Sequence, residues 1–80
     1  MSDEVLFFCE NVKQLRDIEK ISKTKMAKKL EISVYHLSKI ENGILPPQLD
    51  ISIVVKISKL YKIEPSRLFK KDFVKTKQFF

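Results

Sequence analysis

Apolar residues recur at intervals of three and four along the chain, and this spacing constrains the fold more than any other feature of the sequence. Val5, Phe8, Val12 and Leu15 follow it in the first segment, whereas strand-like alternation does not persist anywhere. Such spacing is typical of helices with one apolar face. A single glycine among 80 residues leaves few candidates for the tight turns that hairpins need. We therefore predict one all-α domain over residues 1–80.

Residues that cap helices divide the chain into five predicted helices. Serine or aspartate precedes most of the apolar segments, where its side chain can cap a helix N-terminus. Pro46 and Pro47 predict a connector over residues 44–49, because neither residue continues a helix. The first predicted helix runs from Ser2 or Asp3 to about Lys20, the second from Ser22 to about Glu31, and the third from Ser33 to Asn42-Gly43. The fourth is capped by Asp50 and has Ile51, Val54, Ser58 and Tyr61 on one face, which Val55 and Ile57 broaden. The fifth begins at Pro65 and carries Leu68, Phe69 and Phe73.

Positive charge lies outside the first residues of the chain. The net charge is +6, and Asp3, Glu4 and Glu10 precede the first lysine, so residues 12–80 hold all 16 basic residues. A basic domain attracts polyanions, and nucleic acid is a common partner of such domains. Charge alone leaves an anionic membrane surface or simple solubility open as alternatives.

The residues present argue against several kinds of site. Cys9 is the only cysteine and His36 the only histidine, which disfavours a disulfide or a metal site and predicts no cofactor. No glycine-rich phosphate loop or catalytic set is evident, so we do not expect an enzyme. The longest apolar run, Val5–Cys9, is too short to cross a bilayer, and the acidic start is unlike a signal peptide. We expect a cytoplasmic chain without a membrane partner.

Two short helices separated by about three residues form the central motif. They cover Met26–Leu30 and Val34–Glu41, an arrangement that indicates a helix-turn-helix. In this motif the first helix lies across the DNA backbone and holds the second in the major groove, which is about 12 Å wide. Ala27 supplies the small residue at the crossing. The apolar residues expected to lock the second helix in place are Met26, Leu30, Ile32, Leu37 and Ile40.

At these residues the sequence resembles the Cro/XRE-type, phage repressor-like helix-turn-helix family. The run from Ser22 to Ser33 is similar to the family's second helix and turn, and Leu37–Gly43 is similar to its recognition helix. Residues 11–16 resemble the family's first helix and residues 58–69 its last two, so the resemblance covers about residues 11–69. It implies a compact five-helix lambda-repressor-like domain with the helix-turn-helix at helices 2 and 3.

The sequence departs from the family's usual pattern at the start of the second helix. Lys23, Thr24 and Lys25 stand where the family usually has glutamine followed by acidic residues. Cations there oppose the helix macrodipole, whereas a docked phosphate would favour them. We predict that Lys23 and Lys25 contact the DNA backbone, with solvated side chains as the alternative. The connector after Gly43 is also about two residues longer than is typical of the family.

The resemblance implies which residues contact DNA. It places base-edge contacts at Val34, Tyr35 and Lys39, and Ser38 lies beside them on the third helix. Val34 can contact a thymine methyl group, and Lys39 can donate to guanine N7 and O6. The predicted contacts with the DNA backbone are Ser22, Lys23, Lys25, Ser33, His36 and Asn42. The resemblance also implies a salt bridge between Arg16 and Glu41 that fixes the orientation of the recognition helix.

Aromatic residues are concentrated at the two ends of the chain. Phe69, Phe73, Phe79 and Phe80 follow the motif, and Phe7 and Phe8 precede it. One hypothesis makes the four C-terminal rings part of a homodimer interface, as in repressors that bind two-fold sites. The alternative is that segment 70–80 folds back on the first helix, or that its last residues are disordered.

Together these features predict a sequence-specific regulator of transcription that binds double-stranded DNA as a homodimer and acts as a repressor. One alternative is an antitoxin-type module that binds a protein partner through the aromatic ends. Another is a basic protein that binds nucleic acid without regard to sequence, in which case Val34, Tyr35 and Lys39 would matter no more than other surface residues.

Overall fold

The structure, a computed structural model, describes residues 3–44 and 51–76. Within these ranges the chain is all-α as predicted, and no strand is present. The elements are α1 (Asp3–Glu19), α2 (Lys23–Leu30), α3 (Val34–Glu41) and α4 (Ile51–Tyr61), followed by a 3-10 turn (Pro65–Phe69) and the single-turn helix α5 (Phe73–Thr76).

Serine side chains begin both helices of the motif. The Ser22 hydroxyl accepts a hydrogen bond from the backbone N–H of Lys25 at 3.1 Å, and Ser33 accepts one from His36 at 3.0 Å. Each bond satisfies a donor that the first turn of a helix would otherwise leave unpaired. Glu31 ends α2 in the left-handed conformation, with φ 59°, so the turn to α3 is short.

Gly43 ends α3 and allows the chain to leave it. Its φ is +74°, a conformation that glycine adopts at little cost. A Cβ atom at this position would lie 3.3 Å from Leu6 Cδ2, so α1 also approaches closely here. The neighbouring Asn42 has φ −92°, so Gly43 is the residue of this pair that adopts the left-handed conformation.

The core is built from one face of each helix. Phe8, Val12 and Leu15 of α1 are fully buried as their spacing predicts, and α1 packs against α3, the 3-10 turn and α5. The other buried apolar residues are Cys9, Met26, Ala27, Leu30, Leu37, Ile40, Ile53, Val54, Ile57, Tyr61, Ile63, Leu68 and Val74.

The buried face of the fourth helix matches the predicted one only in part. Val54, Ile57 and Tyr61 are buried as predicted, but Ile51 is 71% and Val55 40% exposed, and Ile53 completes the buried face. At 3.6 residues per turn, Ile51 lies roughly a third of a turn away from the centre of that face. The prediction that Ile51 faces the core was therefore wrong.

The predicted fifth helix is also corrected, because the chain from Pro65 forms two short pieces. Lys70 is extended, with φ −93° and ψ 142°, and Asp72 is left-handed, with φ 54°. A continuous helix cannot pass through these two conformations. The five-helix architecture is thus not confirmed, and the described chain has four helices of eight residues or more.

Candidate nucleic-acid interface

The recognition surface that we define is the outward side of α3, formed by Val34, Tyr35, Ser38 and Lys39. Val34 is 40% exposed and Tyr35 is 70% exposed, although both are large side chains. The opposite side of α3 holds Leu37 and Ile40, which are fully buried. The helix therefore presents one face to solvent from a fixed position.

An ion pair fixes α3 against α1. Arg16 Nε donates to Glu41 Oε2 at 2.7 Å, and Arg16 Nη2 donates to Oε1 at 2.9 Å. Arg16 Nη1 also donates to the carbonyl of Ile21 at 3.1 Å. The Glu41 side chain is only 2% exposed. The hydrogen bond to Glu41 raises the pKa of Arg16 above its ordinary value, and two parallel bonds allow little rotation of the pair.

A lysine lies over an aromatic ring on the recognition surface. The ammonium of Lys39 is 4.7 Å from the centroid of the Tyr35 ring, within the range of a cation–π interaction. The two residues are four positions apart and so share one side of α3. The ring and the charge can therefore be presented together to a partner.

A second lysine reaches the recognition surface from α2. Lys23 Nζ lies 3.4 Å from Ser38 Oγ, although Lys23 begins one helix and Ser38 belongs to the middle of the next. Both residues are half-buried. Lys23 thus lies beside the predicted base readers.

The residues predicted to contact the DNA backbone fall into three places. Ser22 and Lys25 lie at the start of α2, where Lys25 is exposed. Ser33 and the half-buried His36 lie at the start of α3. Asn42 is exposed at the far end of α3, about 12 Å along the axis from the first residue of the helix. Because each serine oxygen accepts from its own helix, its hydroxyl hydrogen is still able to donate to a phosphate.

Comparison with known protein families supports the interpretation of α2 and α3 as a helix-turn-helix. The model of a helix-turn-helix domain family matches residues 9–72 of the chain. The chain belongs to this XRE-like helix-turn-helix family. The resemblance predicted from the sequence is confirmed, and the family indicates DNA binding. No curated protein and no solved structure matches the chain.

The helix-turn-helix domain contains a buried polar side chain that sequence reasoning missed. Asn11 is 1% exposed, and its Nδ2 donates to the carbonyls of Leu68 at 2.8 Å and Lys70 at 2.9 Å. Its Oδ1 accepts from the backbone N–H of Val74 at 3.3 Å. The signal was present in the sequence, because Asn11 shares the apolar face of α1 with Phe8.

A second polar cluster joins α1, α2 and α4 of the domain. The carboxylate of Glu19 accepts from the Tyr61 hydroxyl and from Lys29 Nζ, the latter at 2.9 and 3.0 Å. Burial raises the pKa of Glu19, but these hydrogen bonds outweigh it, so the pKa lies below its ordinary value. Burial also raises the pKa of Tyr61, and the Glu19 carboxylate adds to that effect. The cluster holds α2 against α1 and α4, and its three residues lie outside the recognition surface.

Phe69 and Phe73, the two C-terminal phenylalanines that the structure describes, pack within the domain. Phe69 stacks on Phe8 with centroids 5.1 Å apart, and the Arg67 guanidinium lies 5.9 Å from the centre of the Phe73 ring. Phe69 and Phe73 are half-buried against the core, as the fold-back alternative expects. Phe79 and Phe80 lie outside the described residues.

Other kinds of site find little support in residues 3–44 and 51–76. These residues contain no group of three or more histidine, cysteine or acidic side chains placed to hold a metal ion, nor a helix long and apolar enough to span a membrane. Cys9 is buried, and burial raises the pKa of its thiol to about 11, which disfavours the reactive thiolate.

Proposed function

We propose that the chain is a sequence-specific regulator of transcription that binds double-stranded DNA and acts as a repressor. The observation that carries this proposal is the exposure of Val34 and Tyr35 on a helix whose other side is fully buried. Large apolar surface left exposed on a rigid element is typical of a binding surface. In a helix-turn-helix, this surface is the one that enters the major groove.

The chemistry of the recognition surface suits base edges. Val34 provides an apolar contact for a thymine methyl group, and Lys39 provides a donor for guanine N7 and O6. Tyr35 lies between them with a ring that contacts Lys39 and a hydroxyl that can donate or accept. Phosphate contacts at Ser22, Lys25, Ser33, His36 and Asn42 would set the register of α3 in the groove.

We further propose that two copies bind one palindromic site. The longest dimension of the domain is 30 Å, so two copies placed along it would have their centres near the usual half-site spacing of roughly 34 Å. Phe79 and Phe80 remain candidates for the contact between protomers. We propose that the protein acts in the cytoplasm on DNA, without a cofactor and without catalytic activity.

A selection from a randomised duplex pool at fixed salt tests the proposal. We expect an enriched palindrome for the wild-type protein, and relaxed preference at one base-pair position for Tyr35→Ala. Lys25→Ala should weaken binding to all duplexes alike and reduce the salt slope by about 0.9, the loss of one phosphate contact. If no sequence is enriched, the protein is not a sequence-specific reader, and a search for a protein partner becomes the better course.

A further inference from the structure

We propose that Lys23 is a specificity-determining positioning residue that makes Ser38 a hydrogen-bond donor to a base. This inference rests on the proposed function, since it concerns how α3 reads DNA. It gives Lys23 a role different from the phosphate contact that the sequence predicts. The basis is the position of Lys23 Nζ, 3.4 Å from Ser38 Oγ.

The chemistry of the two groups fixes the direction of this hydrogen bond. An ammonium group has three donors and no acceptor, so the Ser38 oxygen must accept. The bond uses one lone pair of the hydroxyl and leaves its hydrogen able to donate. Lys23 also adds positive potential at that point of the recognition surface, which favours a partner atom with a lone pair.

Bases differ in whether their edge in the major groove can accept a hydrogen bond from such a donor. Guanine presents two acceptors, N7 and O6, and thymine presents O4, whereas cytosine presents only its N4 amino donor. A Ser38 hydroxyl held by Lys23 therefore donates best to guanine at the base that it contacts and disfavours cytosine. Without Lys23 the hydroxyl can rotate and accept from cytosine N4 instead.

The position of Lys23 favours this role over a phosphate contact. Lysine side chains at helix starts are mostly exposed, whereas Lys23 is half-buried and Lys25, two residues later, is exposed. The pair therefore provides a matched comparison, because both are lysines in the first turn of α2 and only Lys23 contacts Ser38.

The test is a selection from a randomised duplex pool with the wild type, Lys23→Met, Ser38→Ala and Lys25→Met, each first shown to be folded by circular dichroism. We expect Lys23→Met and Ser38→Ala to lose preference at the same base-pair position, where guanine is enriched in the wild type. The preference for guanine at that position should fall about fivefold, as for the loss of one hydrogen bond. Lys23→Met should also select duplexes that carry cytosine there. Lys23→Arg, which keeps a donor-only cation, should retain the preference.

The outcomes separate this inference from the proposed function. Lys25→Met should lower affinity for every sequence without changing any position. If the wild type selects a palindrome and Lys23→Met behaves like Lys25→Met, the inference is wrong and Lys23 contacts a phosphate only. If the wild type selects no sequence, the proposed function fails and this inference fails with it.

Discussion

The Asn11 amide links α1 to the C-terminal part of the domain through three hydrogen bonds made at a fully buried position. Its partners are backbone groups of Leu68, Lys70 and Val74, which lie in and after the 3-10 turn. Buried backbone groups have to find partners inside the protein, since water does not reach them. Asn11 therefore explains how the irregular chain after Pro65 keeps a fixed place against the core.

We expect Asn11→Leu to lower the free energy of unfolding by about 2–4 kcal/mol, because the buried Leu68 carbonyl and Val74 N–H lose their partner and the Lys70 carbonyl loses one of its two donors. Urea unfolding followed by circular dichroism measures the change. Lys13→Leu introduces the same residue at an exposed position of α1 and should change stability by no more than about 0.5 kcal/mol. Equal effects of the two substitutions would contradict the role given to Asn11.

Contacts between residues close in sequence were predictable from the sequence, whereas the long-range pair of Arg16 and Glu41 was predicted only through the family resemblance and the other long-range contacts of the site were not predicted. Ser22 and Ser33 cap the next turn of their own helices, and Gly43 ends its helix through its own backbone conformation. Asn11 forms hydrogen bonds with backbone groups that are 57 or more positions away. The direction in which the Lys23 side chain points depends on how α2 crosses α3. Such contacts are set by tertiary packing, which local spacing does not determine.

At the scale of elements, the orientation of α3 depends on the pair between Arg16 and Glu41. We expect Arg16→Ala to destabilise the protein by about 3–5 kcal/mol, because it leaves the buried Glu41 carboxylate without its partner. Chemical denaturation measures this loss, and Arg16→Lys should recover only part of it, since lysine cannot form two parallel bonds.

The exposed pair between Lys56 and Glu31 provides the control for Arg16. Its atoms are 2.8 Å apart, but the Glu31 side chain is 74% exposed. Lys56→Ala should therefore cost less than about 1 kcal/mol. A loss below that same value for Arg16→Ala would show that the Arg16–Glu41 pair does not hold the recognition helix.

The cluster around Glu19, which holds α2 against α1 and α4, predicts that the free energy of unfolding depends on pH. The pKa of Glu19 is lowered in the folded state, so its stabilising contribution is complete above the unfolded pKa of about 4.3. That contribution is lost as the pH falls through the folded pKa. In urea unfolding between pH 3 and 7, the stability difference between the wild type and Glu19→Gln should be constant at the upper end and narrow below about pH 4. A difference that does not change with pH would contradict this account.

Helices were easier to predict than the chain that follows them. Spacing and caps located α1, α2 and α3 closely, because each has a long run of apolar positions or a serine at its start. The segment after Pro65 carries apolar residues at helical spacing, yet Lys70 and Asp72 adopt non-helical conformations. Hydrogen bonds with Asn11 hold that segment, and the sequence shows only that Asn11 shares the apolar face of α1, not which groups it binds.

At the scale of the whole molecule, we propose that a small basic domain places one face of α3 against DNA. A homodimer on a palindrome predicts two protomers per duplex, and sedimentation equilibrium with the selected duplex measures that number. A duplex carrying one half-site should bind a single protomer more weakly, since contacts between protomers are absent. Saturation of the palindrome by one protomer would contradict the dimer.

The most direct test of the central claim is an amide NMR titration of the protein with the selected duplex. We predict that the largest shift changes fall on Val34–Lys39 of α3 and on residues 22–25 at the start of α2. Changes confined to residues 60–74, with α3 unaffected, would show that DNA does not bind at the recognition surface and would contradict the account.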